Sequence, residues 1–128
     1  MLTRHALQGM MQIPGLTIYG IKDLDSPRFN QRGGVIAFEI QKIIASSIAK
    51  KLAEQGGIGI RSGCHCAHLL VKRLLHVPPW AEKIQKVIVI LLPKVKLPGI
   101  ARVSLGIENT PEEIDILVRV LGRIARKS

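Results

Sequence analysis

The sequence predicts an α+β domain, a two-layer sandwich in which a small mixed sheet carries helices on one side. Three observations predict it. The chain has 128 residues, which is room for one domain, residues 1–128, around one core. Its 47% hydrophobic content is too high for a disordered tail, yet it is broken into short runs. Those runs switch between helical and strand periodicity in the order α-β-β-α-β-α-α-β-α.

Taking the elements in order, Thr3 can cap a first helix that runs to about Met11, with Leu7, Met10 and Met11 as its apolar stripe. Pro14-Gly15 ends it, and Leu16 to Ile21 reads as a strand because Thr17, Ile18 and Tyr19 suit a pleated surface. Lys22 to Arg32 is a polar loop whose Arg28 and Arg32 read as solvated, and Val35 to Ile40 is the next strand. Gln41 to Gln55 is amphipathic: Ile44, Ile48 and Leu52 recur at the helical interval, while Lys50, Lys51 and Glu54 face out. Gly56-Gly57 supplies a left-handed stop. A short strand from Ile58 to Arg61 follows, then a helix from Ala67 to Leu75. Val77-Pro78-Pro79 breaks that helix, and Trp80 to Leu92 is read as another, closed by Pro93 and followed by a linker to Pro98. Ile100 to Leu105 is a strand holding Arg102. The last helix starts with Thr110 as N-cap, Pro111 at the first position and Glu113 completing a capping box. It runs to about Arg126, is buried through Ile114, Leu117, Leu121 and Ile124, and its basic end opposes the negative helix terminus.

Composition narrows the function. The longest apolar run, Val87 to Leu92, falls far short of the roughly 20 residues of a spanning helix. The segment from Met1 to His5 lacks the apolar core of a signal peptide. The two cysteines are one residue apart, which argues against a disulfide framework and for a reducing, cytoplasmic setting. The net charge of +10 invites a nucleic-acid partner. However, the cations are scattered and aromatics for base stacking make up only 3% of the chain, so the excess fits solvated helix faces or an acidic neighbouring domain better.

Chemistry concentrates in Arg61-Ser62-Gly63-Cys64-His65-Cys66-Ala67-His68, which holds both cysteines and two of the four histidines. Cys66 falls on a strand-to-helix turn, where the helix dipole, His65 and Arg61 all favour the thiolate. Two buried, inert cysteines are the alternative. This segment resembles the Arg-x-Gly-x-His-Cys-Ala signature of class V aminotransferases, the fold-type I pyridoxal-phosphate enzymes that include cysteine desulfurases. Arg102-Val103-Ser104-Leu105, with Asn109-Thr110-Pro111-Glu112-Glu113-Ile114-Asp115, is similar to a second segment of that family. Gly33-Gly34-Val35-Ile36-Ala37-Phe38 is similar to one of its strands.

The resemblance implies the small C-terminal domain of such an enzyme, which has this sandwich architecture. It implies that Cys66 attacks the sulfur of a substrate cysteine held on the cofactor and carries it as a persulfide. It implies that Arg102 holds the α-carboxylate of an amino-acid substrate, as the planar fork of a guanidinium is suited to do. Arg61 and His65 would line the same site. Cys64 departs from the desulfurase pattern, which often has histidine there. Pyridoxal phosphate would be bound mainly by a large domain preceding this one, since no lysine here has the family's context; the isolated chain would then be inactive and the complete protein a homodimer. Two other readings stand beside it: zinc on Cys64, Cys66 and His68 with His5 or His76, and a stand-alone module that binds a partner or metal through the Cys64-Cys66 loop.

Overall fold

In the computed structural model, the described residues are 1–63 and 100–127. The helices expected at 67–75 and 80–92 and the linker after them lie outside this set.

Helix α1 (Leu2–Met11) opens one residue ahead of the expected cap. The His5 N–H donates to the Met1 carbonyl, which places Thr3 inside the first turn and makes Met1 the N-cap, with no side chain capping it. Ala6, Leu7 and Met10 are buried, whereas Met11 stays 44% exposed, so the buried stripe is Ala6-Leu7-Met10. Strand β1 (Leu16–Tyr19) is shorter than its apolar run, because Gly20 takes φ +92° and turns the chain out of the ladder. The loop beyond it contains a 3₁₀ turn, Pro27–Gln31, whose start is capped by the Ser26 hydroxyl accepting from the Arg28 N–H. Strand β2 (Val35–Ile40) follows.

Helix α2 (Ala45–Gly56) begins later than its periodicity implies. Lys42 adopts φ +63° and Ile43 bridges back to Ile40, so the chain must turn before it can coil. Ile44 becomes the N-cap and is 39% exposed; Ala45, Ile48 and Leu52 form the buried face. The stop is as read: Gly57 is left-handed at φ +63° and its N–H donates to the Ala53 carbonyl. Strand β3 (Arg61–Gly63) lies three residues beyond the expected start, since Gly59 weakens a ladder there. Strand β4 (Ile100–Ser104) leads to helix α3 (Pro111–Arg126). Its capping box is present in full: the Glu113 N–H donates to Thr110 Oγ1 at 3.4 Å, and Glu113 Oε2 accepts from the Thr110 N–H at 3.1 Å.

The strands form one sheet in the order β1-β2-β4-β3, and its three pairings are all antiparallel. The α+β class and the two layers are as the sequence predicts, and among the described residues every strand pairing is antiparallel where a mixed sheet was expected. Strands β2 and β3, joined through α2, do run in the same direction, but β4 enters between them and opposes both. Helices α1 and α2 lie against the sheet, and α3 packs against both helices. Ile18, Ile36, Phe38, Ala101 and Val103 face the helices and are almost fully buried. Burial of each large side chain here contributes about 1.5–3 kcal/mol, which is what ties the two layers together. Where α1 and α3 meet, Gly9 lies so close to Val118 that an added Cβ would come within 2.7 Å of Val118 Cγ2. Among the described residues no helix is long and apolar enough to cross a membrane.

Candidate functional site

Successive strand residues point to opposite faces of a sheet. With Ile18, Phe38, Ala101 and Val103 turned towards the helices, the residues between them must face away. The register then lines up one transverse row on the face turned away from the helices. Tyr19 pairs with Ala37, Ala37 with Arg102, and Arg102 with Arg61. Two arginines distant in sequence thus become direct neighbours on adjacent strands.

Like charges directly opposite each other weaken a sheet. Neither arginine has an acidic partner among the described residues, whose ion pairs are Arg4–Asp25, His5–Asp115 and Lys50–Glu54. Arg102 is half-buried, and its Nε is buried without a hydrogen-bond partner; Arg61 is exposed. A guanidinium fork is chemically suited to a planar anion such as a carboxylate, and such an anion would satisfy the buried Arg102 Nε and relieve the repulsion. This places Arg102 and Arg61 together. Cys66 and His65, with Cys64, His68 and His76, lie outside the described residues.

The other end of the row is Tyr19. Burial pushes its phenol up to about 12, helped by a hydrogen bond to Glu39 and by that carboxylate's charge. Glu39 lies two residues along β2 from Ala37 and therefore lies on the same face of the sheet. Neither Tyr19 nor Ala37 was singled out from sequence. The signal available was the strand alternation of Leu16–Tyr19 and Val35–Ile40; the register that joins them to Arg102 was not.

Arg32 corrects an expectation. Far from being solvated, it donates from Nη1 to the Ile21 carbonyl at 2.6 Å, and its Nε is buried without a partner. Burial pulls its pKa below the usual arginine range. It joins the two ends of the loop between β1 and β2. Arg4 fixes the middle of the same loop through the Leu24 carbonyl, Asp25 and the face of Phe29, 4.9 Å from the ring centre.

Two further features compete for attention. His5 Nε2 lies 2.7 Å from Asp115 Oδ1 across the α1–α3 seam. Among the described residues no group of three or more His, Cys, Asp or Glu side chains could hold a metal. A cleft of about 350 Å³ between Gly56–Gly59, the end of β4 and the first turns of α3 includes Asn109 and Glu113, but both are engaged in the helix cap.

The family model described as aminotransferase class-V matches residues 1–117. A cysteine desulfurase of Salmonella typhimurium (strain LT2) is 35% identical over 126 residues, covering 98% of this chain and 24% of the relative. One from Salmonella enteritidis PT4 matches to the same extent. The chain thus spans about a quarter of the length of the curated relatives it matches. Solved structures of cysteine desulfurases share its fold. The apo cysteine desulfurase of Thermococcus onnurineus NA1 superposes with a TM-score of 0.63 at 20% identity, over 98% of this chain and 26% of that one. The cysteine desulfurase CsdA of Escherichia coli, in its S-sulfonic acid form, gives 0.67 at 22% identity, over 98% and 24%.

Proposed function

The chain belongs to the class V aminotransferase family, and on that premise we propose that it is the small C-terminal domain of a pyridoxal-phosphate enzyme of the cysteine desulfurase kind. The observation that carries the reading is the side-by-side placement of Arg61 and Arg102 on the sheet face turned away from the helices, without an acidic partner among the described residues. In this role Arg102 clamps the α-carboxylate of an amino-acid substrate, and Arg61 adds a second positive charge that holds the anion in register. Cys66 serves as the nucleophile that takes up sulfur, with His65 beside it in the chain.

The cofactor belongs elsewhere in the complete protein. None of the four strands carries a lysine, and Lys50 is engaged with Glu54 on an exposed helix face. The row on the sheet therefore offers no lysine amine of the kind the aldehyde of pyridoxal phosphate needs. A large domain that holds the cofactor, a homodimeric assembly and a cytoplasmic setting complete the proposal.

The test is steady-state kinetics of the complete enzyme carrying Arg102→Gln. A charge-assisted pair is worth about 1.5–3 kcal/mol, so the amino-acid KM should rise roughly 10- to 150-fold. The 128-residue chain with added cofactor should show no turnover. An unchanged KM in the variant would remove the carboxylate role, and turnover by the isolated chain would remove the two-domain assignment.

A further inference from the structure

Where α2 hands over to β3 the chain reads Gly56-Gly57-Ile58-Gly59, and three of these four residues carry no side chain. A Cβ built on Gly57 or on Gly59 would meet no atom within 4 Å. Space that side chains fill elsewhere is left open beside this segment, and it becomes the cleft of about 350 Å³ against the end of β4 and the first turns of α3. That size lies within the roughly 300–1,000 Å³ of small-molecule pockets. We propose that this cleft binds a small organic ammonium ion, its apolar body against Ile58, Leu105 and Ile116 and its cationic head on Glu113.

The lining decides the chemistry. Ile58 and Leu105 are half-buried and Ile116 is 40% exposed, so apolar surface faces the cleft without being consumed by the core. A ring or short alkyl chain laid on it removes that surface from water. Glu113 is the one charged side chain among the described residues that line the cleft. The helix cap occupies a single carboxylate oxygen: Oε2 accepts from Asn109 Nδ2 at 2.9 Å and from the Thr110 N–H at 3.1 Å. Oε1 takes no part in the cap, and the same two bonds keep the carboxyl ionised at neutral pH. The helix start contributes about half a positive charge, which Glu112 and Glu113 in its first turn outweigh. A carboxylate ligand would be repelled here, and a neutral one would gain nothing from the charge. A primary ammonium brings three donors and the opposite sign.

The cleft is separate from the arginine row. Val103 and Ile114, which also line it, are buried on the helix side of the sheet, whereas Arg61 and Arg102 face the other way.

The test labels the isoleucine δ1 methyls of the 128-residue chain with carbon-13. Ile58 and Ile116 then report on the cleft, and Ile18 and Ile40, which do not line it, serve as internal controls. The chain is titrated with 2-phenylethylammonium chloride, 2-phenylethanol, sodium 3-phenylpropionate or ammonium chloride at matched ionic strength. Phenylethylammonium should displace the Ile58 and Ile116 signals saturably, with a Kd on the order of 1 mM, and leave Ile18 and Ile40 in place. Phenylethanol should bind roughly two- to five-fold more weakly, the worth of an exposed ion pair. Phenylpropionate should bind more weakly still, and ammonium chloride should displace neither signal. Glu113→Gln keeps the cap, because glutamine serves the same capping box, and should bring the affinity for the ammonium down to that for the alcohol. Ile116→Ala, on the helix surface, should weaken both ligands as read at Ile58. The proposal is overturned by the absence of saturable displacement, by equal displacement of Ile18 and Ile40, or by equal affinity for the alcohol or the carboxylate. An unchanged preference for the ammonium in Glu113→Gln, or unchanged binding in Ile116→Ala, overturns it as well.

Discussion

Replacing Gly9 by alanine sets two effects of known size against each other. Gly9 lies inside α1, where alanine is worth about 1 kcal/mol more than glycine to helix stability. Against this, the new Cβ would stand 2.7 Å from Val118 Cγ2, 2.9 Å from Cγ1 and 3.3 Å from Cβ. Contacts under 3.0 Å force a shift, and valine in a helix has one strongly preferred rotamer, so both methyls and the Cβ must move with the backbone of α3. Overpacking of this kind costs about 1–3 kcal/mol. The sum is a loss of about 0–2 kcal/mol, centred near 1, and a midpoint for thermal unfolding lower by roughly 5 °C. Val118→Ala removes both clashing methyls, so Gly9→Ala in that background should stabilise by about 1 kcal/mol. Urea unfolding of the four proteins in the cycle measures the coupling directly. If Gly9→Ala stabilises equally in both backgrounds, the close approach of α1 and α3 is not held by this contact and the reasoning fails.

Two other outcomes follow from the ionisable groups. The hydrogen bonds from Asn109 and from the Thr110 N–H hold the Glu113 carboxyl below the usual glutamate range. A lowered folded-state pKa adds stability above the unfolded value and loses it as pH falls through the folded one; Glu113→Gln should therefore flatten the acid limb of a stability–pH profile, and an unchanged limb would refute the cap's electrostatic part. Thr110→Ala should cost about 1 kcal/mol by thermal unfolding at neutral pH, with no effect refuting the cap itself. Tyr19 has the opposite sign: its pKa is raised from 10.0 to about 12, so its contribution is intact below pH 10 and is lost between 10 and 12. Absorbance titration of the phenolate should show ionisation near that upper value, shifting downwards in Glu39→Gln; a midpoint near 10 in the wild type would contradict the burial of the ring.

Much of the fold was legible because it rests on local chemistry. Thr110, Pro111 and Glu113 specify the start of α3 within four residues, and Gly57 ends α2 by the one conformation it tolerates better than other residues. What was not legible depended on distant partners. Nothing near Arg32 announces that its guanidinium will reach the Ile21 carbonyl. Nothing in the strand Ile100–Ser104 reveals that it will enter between β2 and β3, and the antiparallel sheet follows from that insertion. The candidate site divides in the same way. Arg102 and Arg61 could be chosen singly from their motifs, but their adjacency, and the row that continues to Ala37 and Tyr19, exist only once the register is set.

The position of β4 also has a consequence for how the chain is assembled. A ribosome releases α1, β1, β2, α2 and β3 well before Ile100, yet β3 makes its ladder to β4 and β2 offers it the opposite edge. Until β4 emerges, β2 and β3 each present an unpaired row of N–H and C=O groups, the kind of edge that recruits strands from other chains. Sheet closure is thus a late, non-local event, slow by its topology and dependent on holding the open halves apart. Chains halted before residue 100 should collect in aggregates, whereas those that reach Ser104 can close.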